Sequence, residues 1–198
     1  VGNTLVEKPN NYIVSELVND LLSLQRNGNI IGLATMRNLT MLDEILKQIS
    51  FDFIIALNGA FVECENKTLI DRPIESKDLE NIVNKLNARE IDFNLYSKYE
   101  IHKSIKEGNK YFGIKLKKCY NEIHNLQKVF VDYVFYIWEK GESCDIHNLN
   151  VSKSKGMLEV CKYFDIPLQN VIAFGDGFND IGLFKVCKTS IAMGSAPA

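Results

Sequence analysis

The sequence predicts an α/β protein: a doubly wound, Rossmann-like parallel-sheet core with an inserted α+β domain. Three observations predict it. Helical patterns and short apolar strand patterns alternate from residue 15 to residue 57, as in a parallel sheet flanked by helices. The middle of the chain mixes strands and helices without that regular alternation. After residue 150 the alternation of helix and buried strand returns. The simplest account is one core built from both ends, residues 1–60 and 149–198, with an insertion at residues 61–148. Ligand chemistry then belongs at the carboxyl ends of the parallel strands.

Residues 16–25 carry Leu17, Val18, Leu21, Leu22 and Leu24 at helical spacing, with Ser15 as N-cap and Asn27-Gly28-Asn29 as the break. Residues 30–34 are a short apolar run, bounded like a buried parallel strand. Residues 40–49 read as a second helix, with Met41, Leu42, Ile45, Leu46 and Ile49 on one face. Residues 53–57 are another buried strand, after which Asn58-Gly59 turns the chain. In the insertion, residues 77–86 and 121–130 read as helices and residues 92–96, 111–116 and 133–138 as strands. Residues 155–164 then form a helix with Met157, Leu158, Val160, Cys161 and Phe164 as its apolar face. A strand at 171–174, a helix at 180–186 and a strand at 190–193 follow.

The 198 residues have room for a core and one small inserted domain. At 46% hydrophobic and 24% charged, the composition is that of a soluble globular protein. A net charge of -2 implies no general attraction to nucleic acid or to a membrane surface. The longest apolar runs, such as residues 133–138, are too short to span a bilayer, and no secretory signal precedes the first element. The 5 cysteines are odd in number and lack any Cys-x-x-Cys pair. They predict reduced thiols and a cytoplasmic protein, without a disulfide frame or zinc site. Both ends read as cut: Val1-Gly2-Asn3-Thr4-Leu5 begins at a strand-to-loop junction, and Ala192-Met193-Gly194-Ser195-Ala196 stops just after a strand. Oligomeric state is open.

The strongest chemical signal is Gly175-Asp176-Gly177-Phe178-Asn179-Asp180, directly after a predicted strand. Two carboxylates on a glycine-rich strand-to-helix turn suit a hard cation such as Mg²⁺. The residues alone leave open that Asp180 only caps the helix and Asp176 only turns the chain. Thr35 and Arg37 follow another strand, where a hydroxyl can hold a phosphoryl oxygen or merely cap a turn. Lys153 enters the helix before the Asp176 strand and can neutralise a phosphate, although most lysines, like its neighbour Lys155, are solvated surface charges.

Taken together, these motifs resemble the haloacid dehalogenase superfamily, and within it the Cof-like phosphatases with an inserted α/β cap (type IIB). Asn3-Thr4-Leu5-Val6 resembles the tail of a first motif, Asp-x-Asp-Gly-Thr-Leu, and Leu33-Ala34-Thr35-Met36-Arg37 resembles a second, Ala-Thr-Gly-Arg, with Met36 in place of glycine. Asn58-Gly59-Ala60 resembles the turn before the cap, and Val151-Ser152-Lys153 with Gly156 resembles the third motif. Val171 to Asp180 is nearly the fourth motif verbatim, and Ile191-Ala192-Met193-Gly194 resembles the strand beyond it. The resemblance covers both core segments; the cap matches only in position and element type.

The resemblance implies a Mg²⁺-dependent phosphohydrolase acting on small phosphorylated metabolites through an aspartyl-phosphate. It places the nucleophilic aspartate immediately before Val1, outside this chain, and the general acid/base at Gly2. It implies metal ligation by Asp176, by the Gly2 carbonyl and through Asp180. Thr35, Arg37, Lys153 and Asn179 would bind phosphate, and Thr35, Lys153 and Asp180 would serve catalysis. Glycine keeps the carbonyl but supplies no proton. Two other readings follow from that: a catalytically impaired relative kept for ligand binding or regulation, and an interaction module with a vestigial motif. In the cap, Tyr96, Tyr99, His102, Tyr111, Phe135, Tyr136 and Trp138 could line a sugar or base pocket or simply fill the cap core, so the substrate is open.

Overall fold

In the computed structural model, which describes residues 1–2, 4–6, 11–119, 121–138 and 142–196, the chain divides into two units. Unit 1 is Val1–Asp71 with Ser152–Ala198, and unit 2 is Arg72–Val151. Asn3, in the first-motif resemblance, lies outside the described residues.

In unit 1 the helix α1 (Ser15–Arg26) packs Leu17, Val18, Leu21 and Leu22 against a cluster of Leu33, Leu42, Ile45 and Ile49. Ser15 is not its cap: the extended Val14 holds that position, and no side chain caps the helix. Strand β1 (Gly32–Ala34) lies parallel to β2 (Phe53–Ala56). Between them the expected helix contracts to a 3-10 turn, Thr40–Leu42, and one helical turn, α2 (Asp43–Leu46). Leu42, Ile45 and Ile49 bury nonetheless, so the apolar face survives the shortening. Strands β3 (Phe61–Cys64) and β4 (Lys67–Asp71) form a hairpin that continues this sheet in the order β1-β2-β3-β4. Glu65 and Asn66 close the hairpin with φ of 48 and 65, as a two-residue turn with the twist of its strands requires. Residues 61–71, expected in the insertion, therefore pair with the core sheet, and the unit boundary falls after Asp71.

Unit 2 contains α3 (Ser76–Asn87), β5 (Asp92–Tyr96), β6 (Ile101–His102), β7 (Gly113–Lys117), α4 (Ile123–Val129), β8 (Tyr133–Trp138) and β9 (Ser143–Asn148). Its sheet is antiparallel throughout, in the order β6-β5-β7-β9-β8. Phe93, Leu95, Ile114, Leu116, Cys144 and Ile146 alternate onto one face and pack with Leu79, Ile82 and Leu86 of α3 and Leu126 of α4. The strand expected from Tyr111 begins instead at Gly113.

His147 lies on the opposite face of this sheet, fully enclosed over Gly113. A Cβ on Gly113 would come within 2.7 Å of the His147 ring, so the glycine makes room for the imidazole. Burial pushes His147 down to about 4, and the ring is neutral at neutral pH. The unfolded chain binds this proton below about pH 6.5 and the native state does so only near pH 4. Stability is therefore full above pH 6.5 and falls as the pH drops toward 4, by roughly 3 kcal/mol in all. Urea midpoints at pH 7 and pH 5 test this, with His147→Asn expected to flatten the dependence. An unchanged slope in that variant would assign it to other groups.

The chain then returns to unit 1 with α5 (Lys153–Tyr163), β10 (Ile172–Gly175), α6 (Ile181–Val186) and β11 (Thr189–Ala192). Strands β10 and β11 pair in parallel. Met157, Val160 and Cys161 of α5 join Ile55, Val62, Ala173 and Leu183 in one cluster. Gly156 permits the approach, since a Cβ there would stand 2.8 Å from Ile55 Cγ2. All five cysteines are buried thiols outside any disulfide. No described helix is long and apolar enough to cross a membrane.

Candidate active site

The carboxyl ends of β1, β2 and β10 and the start of α5 supply the functional groups of unit 1. Thr35 follows β1 and is buried; its N–H donates to the Ile55 carbonyl of β2 at 2.8 Å. Its Oγ1 accepts from the Arg37 N–H at 3.1 Å, which leaves the hydroxyl proton available to an incoming oxygen. Asn58, at φ 58, donates its N–H to the Thr35 carbonyl at 2.9 Å. Gly59, at φ 94, presses on the entry to α5: a Cβ there would lie 2.2 Å from the Ser152 carbonyl oxygen. Only glycine meets both conditions, and this contact brings the helix start beside the β2 end.

Ser152 caps α5, accepting from the Lys155 N–H at 3.2 Å. The helix thus begins at Lys153, two residues before the expected start, and its first side chain turns inward. Lys153 is 3% exposed, whereas Lys155 is exposed. Lys153 Nζ donates to Asp180 Oδ1 at 2.6 Å, and both side chains are enclosed. Burial pulls the Lys153 ammonium below its ordinary value, and the carboxylates of Asp180 and Asp176 oppose that pull.

Asp180 Oδ2 accepts from the N–H groups of Asp176 at 3.2 Å and Gly177 at 3.0 Å, which closes the loop after β10. The glycines of this loop have steric causes. A Cβ on Gly175 would stand 2.6 Å from the Asp180 carboxyl carbon, and one on Gly177 would stand 2.5 Å from Asn179 Oδ1. Asp180 thus has both oxygens committed, one to Lys153 and one to backbone. Asp176 is half-buried; its Oδ1 accepts from Thr4 Oγ1 at 2.6 Å, and its Oδ2 has no partner among the described residues.

Lys153, Asp180, Asp176 and Thr4 are therefore brought together, with Thr35 joined through the Asn58-Gly59 turn. Arg37 is turned aside, its guanidinium donating to Asn11 Oδ1 at 3.2 Å and to the Met41 carbonyl at 3.3 Å. Asn179 lies over Gly177. The Val1 nitrogen is in the field of Lys153, Asp176, Asp180 and, least, Arg37, so Gly2 follows directly on the cluster. Sequence reasoning missed Thr4 as the partner of Asp176 and Gly59 as the contact that seats α5. It named Asn58 only as part of a turn; the Oδ1 and Nδ2 of that residue are buried without a partner among the described residues.

A hard divalent cation needs oxygen ligands, and Mg²⁺ draws on only one or two carboxylates besides waters and phosphate. One half-exposed carboxylate with an open oxygen, Asp176, fits that demand. Among the described residues there is no group of three acidic, histidine or cysteine side chains that could hold a metal ion, and a site of this kind does not require one.

A family model for haloacid dehalogenase-like hydrolases matches residues 1–128 and 100–198. A Streptococcus pyogenes serotype M6 protein, provisionally named a bifunctional phosphatase and peptidyl-prolyl cis-trans isomerase, is 22% identical over 98% of this chain. The match covers 46% of that protein, so the chain spans about half its length. YkrA of Bacillus subtilis, provisionally named a phosphatase, is 24% identical over 87% of this chain and 76% of its own. Among solved structures, the sugar phosphatase BT4131 of subclass IIB is similar with a TM-score of 0.84 and 19% identity, covering 100% of this chain and 86% of that one. At that identity the likeness is one of fold.

Proposed function

Because the chain belongs to the haloacid dehalogenase-like hydrolase family, we propose that it is a Mg²⁺-dependent phosphohydrolase of small phosphorylated metabolites, of sugar-phosphate or nucleotide type. The observation that carries this reading is the enclosed Lys153–Asp180 pair, braced on the loop that presents Asp176. A lysine is held buried and charged at a strand-end cluster when its charge is used there.

In this reading Lys153 and the Thr35 hydroxyl bind the phosphoryl oxygens, and the lysine offsets charge that spreads over them in the transition state. Asp180 positions Lys153 and the loop. Asn179 keeps the loop closed over Gly177, and Arg37 holds the Thr35 turn from outside. Asp176 and the Gly2 carbonyl would hold Mg²⁺, which supplies a fixed positive charge for the phosphoryl oxygens. An aspartate preceding Val1 would attack phosphorus as the ester oxygen departs, and water would then cleave the acyl phosphate. The field of Lys153, Asp176 and Asp180 at the Val1 nitrogen supports that assignment. Gly2 favours a second reading, in which turnover is weak and ligand binding is the retained role.

Two measurements test the proposal. Lys153→Met in the full-length protein should lower kcat/KM for phosphomonoesters about 10²–10³-fold, the usual loss of one preorganised charge donor. Turnover equal to the parent would remove Lys153 from the chemistry. Mg²⁺ should raise the melting temperature, because a ligand of the native state stabilises it by mass action. Asp176→Ala should abolish most of that rise; an undiminished Mg²⁺ response would exclude Asp176 as a ligand.

A further inference from the structure

The sheet of unit 2 ends in two strands, β6 and β8, and they are built differently. β6 has only 2 residues, and Lys103 follows it at once. β8 runs 6 residues, Tyr-Val-Phe-Tyr-Ile-Trp, without a charge, a proline or a register shift. Sheet edges are ordinarily guarded by such devices, because an unpaired row of N–H and C=O groups templates another strand. The outer strand β4 of unit 1 is guarded in this way, by Lys67, Asp71 and a register shift against β3. Exposed apolar side chains also gather along the β8 edge. Ile137 within the strand is 39% exposed, Val131 just before it 70% and the neighbouring Leu149 57%.

One hydrogen bond fixes which backbone groups of β8 face outward. The Leu149 N–H donates to the Asp132 carbonyl at 2.9 Å, and the β8–β9 register sets these two residues opposite each other. Theirs is a hydrogen-bonded pair, and in an antiparallel ladder such pairs alternate with unbonded ones. Val134, Tyr136 and Trp138 therefore bond to β9. Tyr133, Phe135 and Ile137 point their N–H and C=O groups away from it. The Tyr133 N–H agrees with this phase, since it donates outside the ladder to the Phe130 carbonyl at 3.1 Å. Among the described residues no backbone bond of this kind engages Phe135 or Ile137.

We propose that β8 pairs antiparallel with β8 of a second copy of this chain, about a two-fold axis at Tyr136. In this register Phe135 exchanges both of its N–H···O bonds with the partner's Ile137, and Ile137 does so with the partner's Phe135. An axis at Phe135 would call on the Tyr133 N–H, which is already engaged. Tyr136 then faces the partner's Tyr136, and Val134 faces the partner's Trp138, aromatic and β-branched pairs of the kind that stabilise sheets. Charge also fits the symmetry. The strand itself carries none, and Tyr136 lies midway between Asp132 and Lys140 in the sequence, so the axis relates unlike charges. Self-complementarity is required only of a second copy, and an isologous contact engages each edge once and closes at the dimer.

Sedimentation velocity from about 1 to 300 µM covers micromolar dissociation constants and should show a monomer–dimer equilibrium. Ile137→Pro removes an outward N–H and leaves the ladder to β9 intact, so it should weaken the dimer at least about tenfold while thermal melts show a folded protein. Two cysteine variants test the register and decide the matter should Ile137→Pro fail to fold. Tyr136→Cys should give a disulfide-linked dimer under a mild thiol oxidant, because opposed Cα atoms of an unbonded pair lie about 4.5 Å apart. Val134→Cys should not, because the two-fold sets its two copies roughly 14 Å apart along the strands. The parent, whose five cysteines are buried, gives the background. A parent that stays monomeric throughout would overturn the proposal. So would a dimer that a folded Ile137→Pro leaves intact, or equal cross-linking by the two cysteine variants.

Discussion

Replacing Asp180 with alanine is expected to destabilise unit 1 by about 3–5 kcal/mol, the range for breaking a buried ion pair from one side. The loss has two parts. Lys153 is left as an enclosed ammonium without its counter-charge at 2.6 Å. The N–H groups of Asp176 and Gly177 lose the oxygen that both donate to. Asp180→Asn keeps one acceptor oxygen for those N–H groups but sets an amide NH2 against Lys153 in place of the charged oxygen; because the backbone bonds survive, it should cost less than Asp180→Ala. The double variant Lys153→Met/Asp180→Leu should recover most of the lost stability, because apolar groups of similar volume replace a buried pair at little net cost. It should hydrolyse phosphomonoesters no faster than Lys153→Met alone. Urea denaturation of the parent, Lys153→Met, Asp180→Leu and the double variant closes the cycle. Should the double variant be as unstable as Asp180→Ala, the backbone bonds of the loop, and not the orphaned lysine, carry the penalty.

The pair shows what could be read in advance. Gly175-Asp176-Gly177-Phe178-Asn179-Asp180 announces itself because glycines and carboxylates are rare together after a buried strand, and the structure gives each glycine a cause in the position of Asp180 or Asn179. Lys153 could not be told from Lys155 by spacing. What separates them is the Ser152 cap, which starts the helix two residues early and turns Lys153 inward. Gly59 was legible as a turn, but its contact with the Ser152 carbonyl joins residues 93 positions apart, and no local pattern encodes that. The hairpin β3–β4 escaped notice because its turn is Glu65-Asn66, without the glycine that marks most such turns. Strand β9 was missed for a related reason. Ser143, Asp145 and His147 occupy its second face, so a strand alternating toward a polar strip looks like a loop. The helix at 40–49 was overextended because burial of Leu42, Ile45 and Ile49 needs the apolar spacing but not an unbroken helix.

Gly2→Asp, in the full-length protein with an aspartate before Val1, is expected to raise turnover of alkyl and sugar phosphates more than that of aryl phosphates. The differential should be on the order of 10²-fold, the low end of general acid–base effects. Aryl phosphates depart as stabilised phenolates and need little protonation, whereas alkyl phosphates depart as alkoxides and need a proton in the transition state. Glycine cannot give one. An aspartate at position 2 would follow Val1, whose nitrogen already feels Lys153, Asp176 and Asp180. The measurement is kcat/KM for p-nitrophenyl phosphate and for a hexose phosphate in parent and variant, compared as ratios so that losses of folded protein cancel. If the parent already hydrolyses the hexose phosphate as well as the aryl ester, and the variant leaves the ratio unchanged, the proton comes from a group other than residue 2.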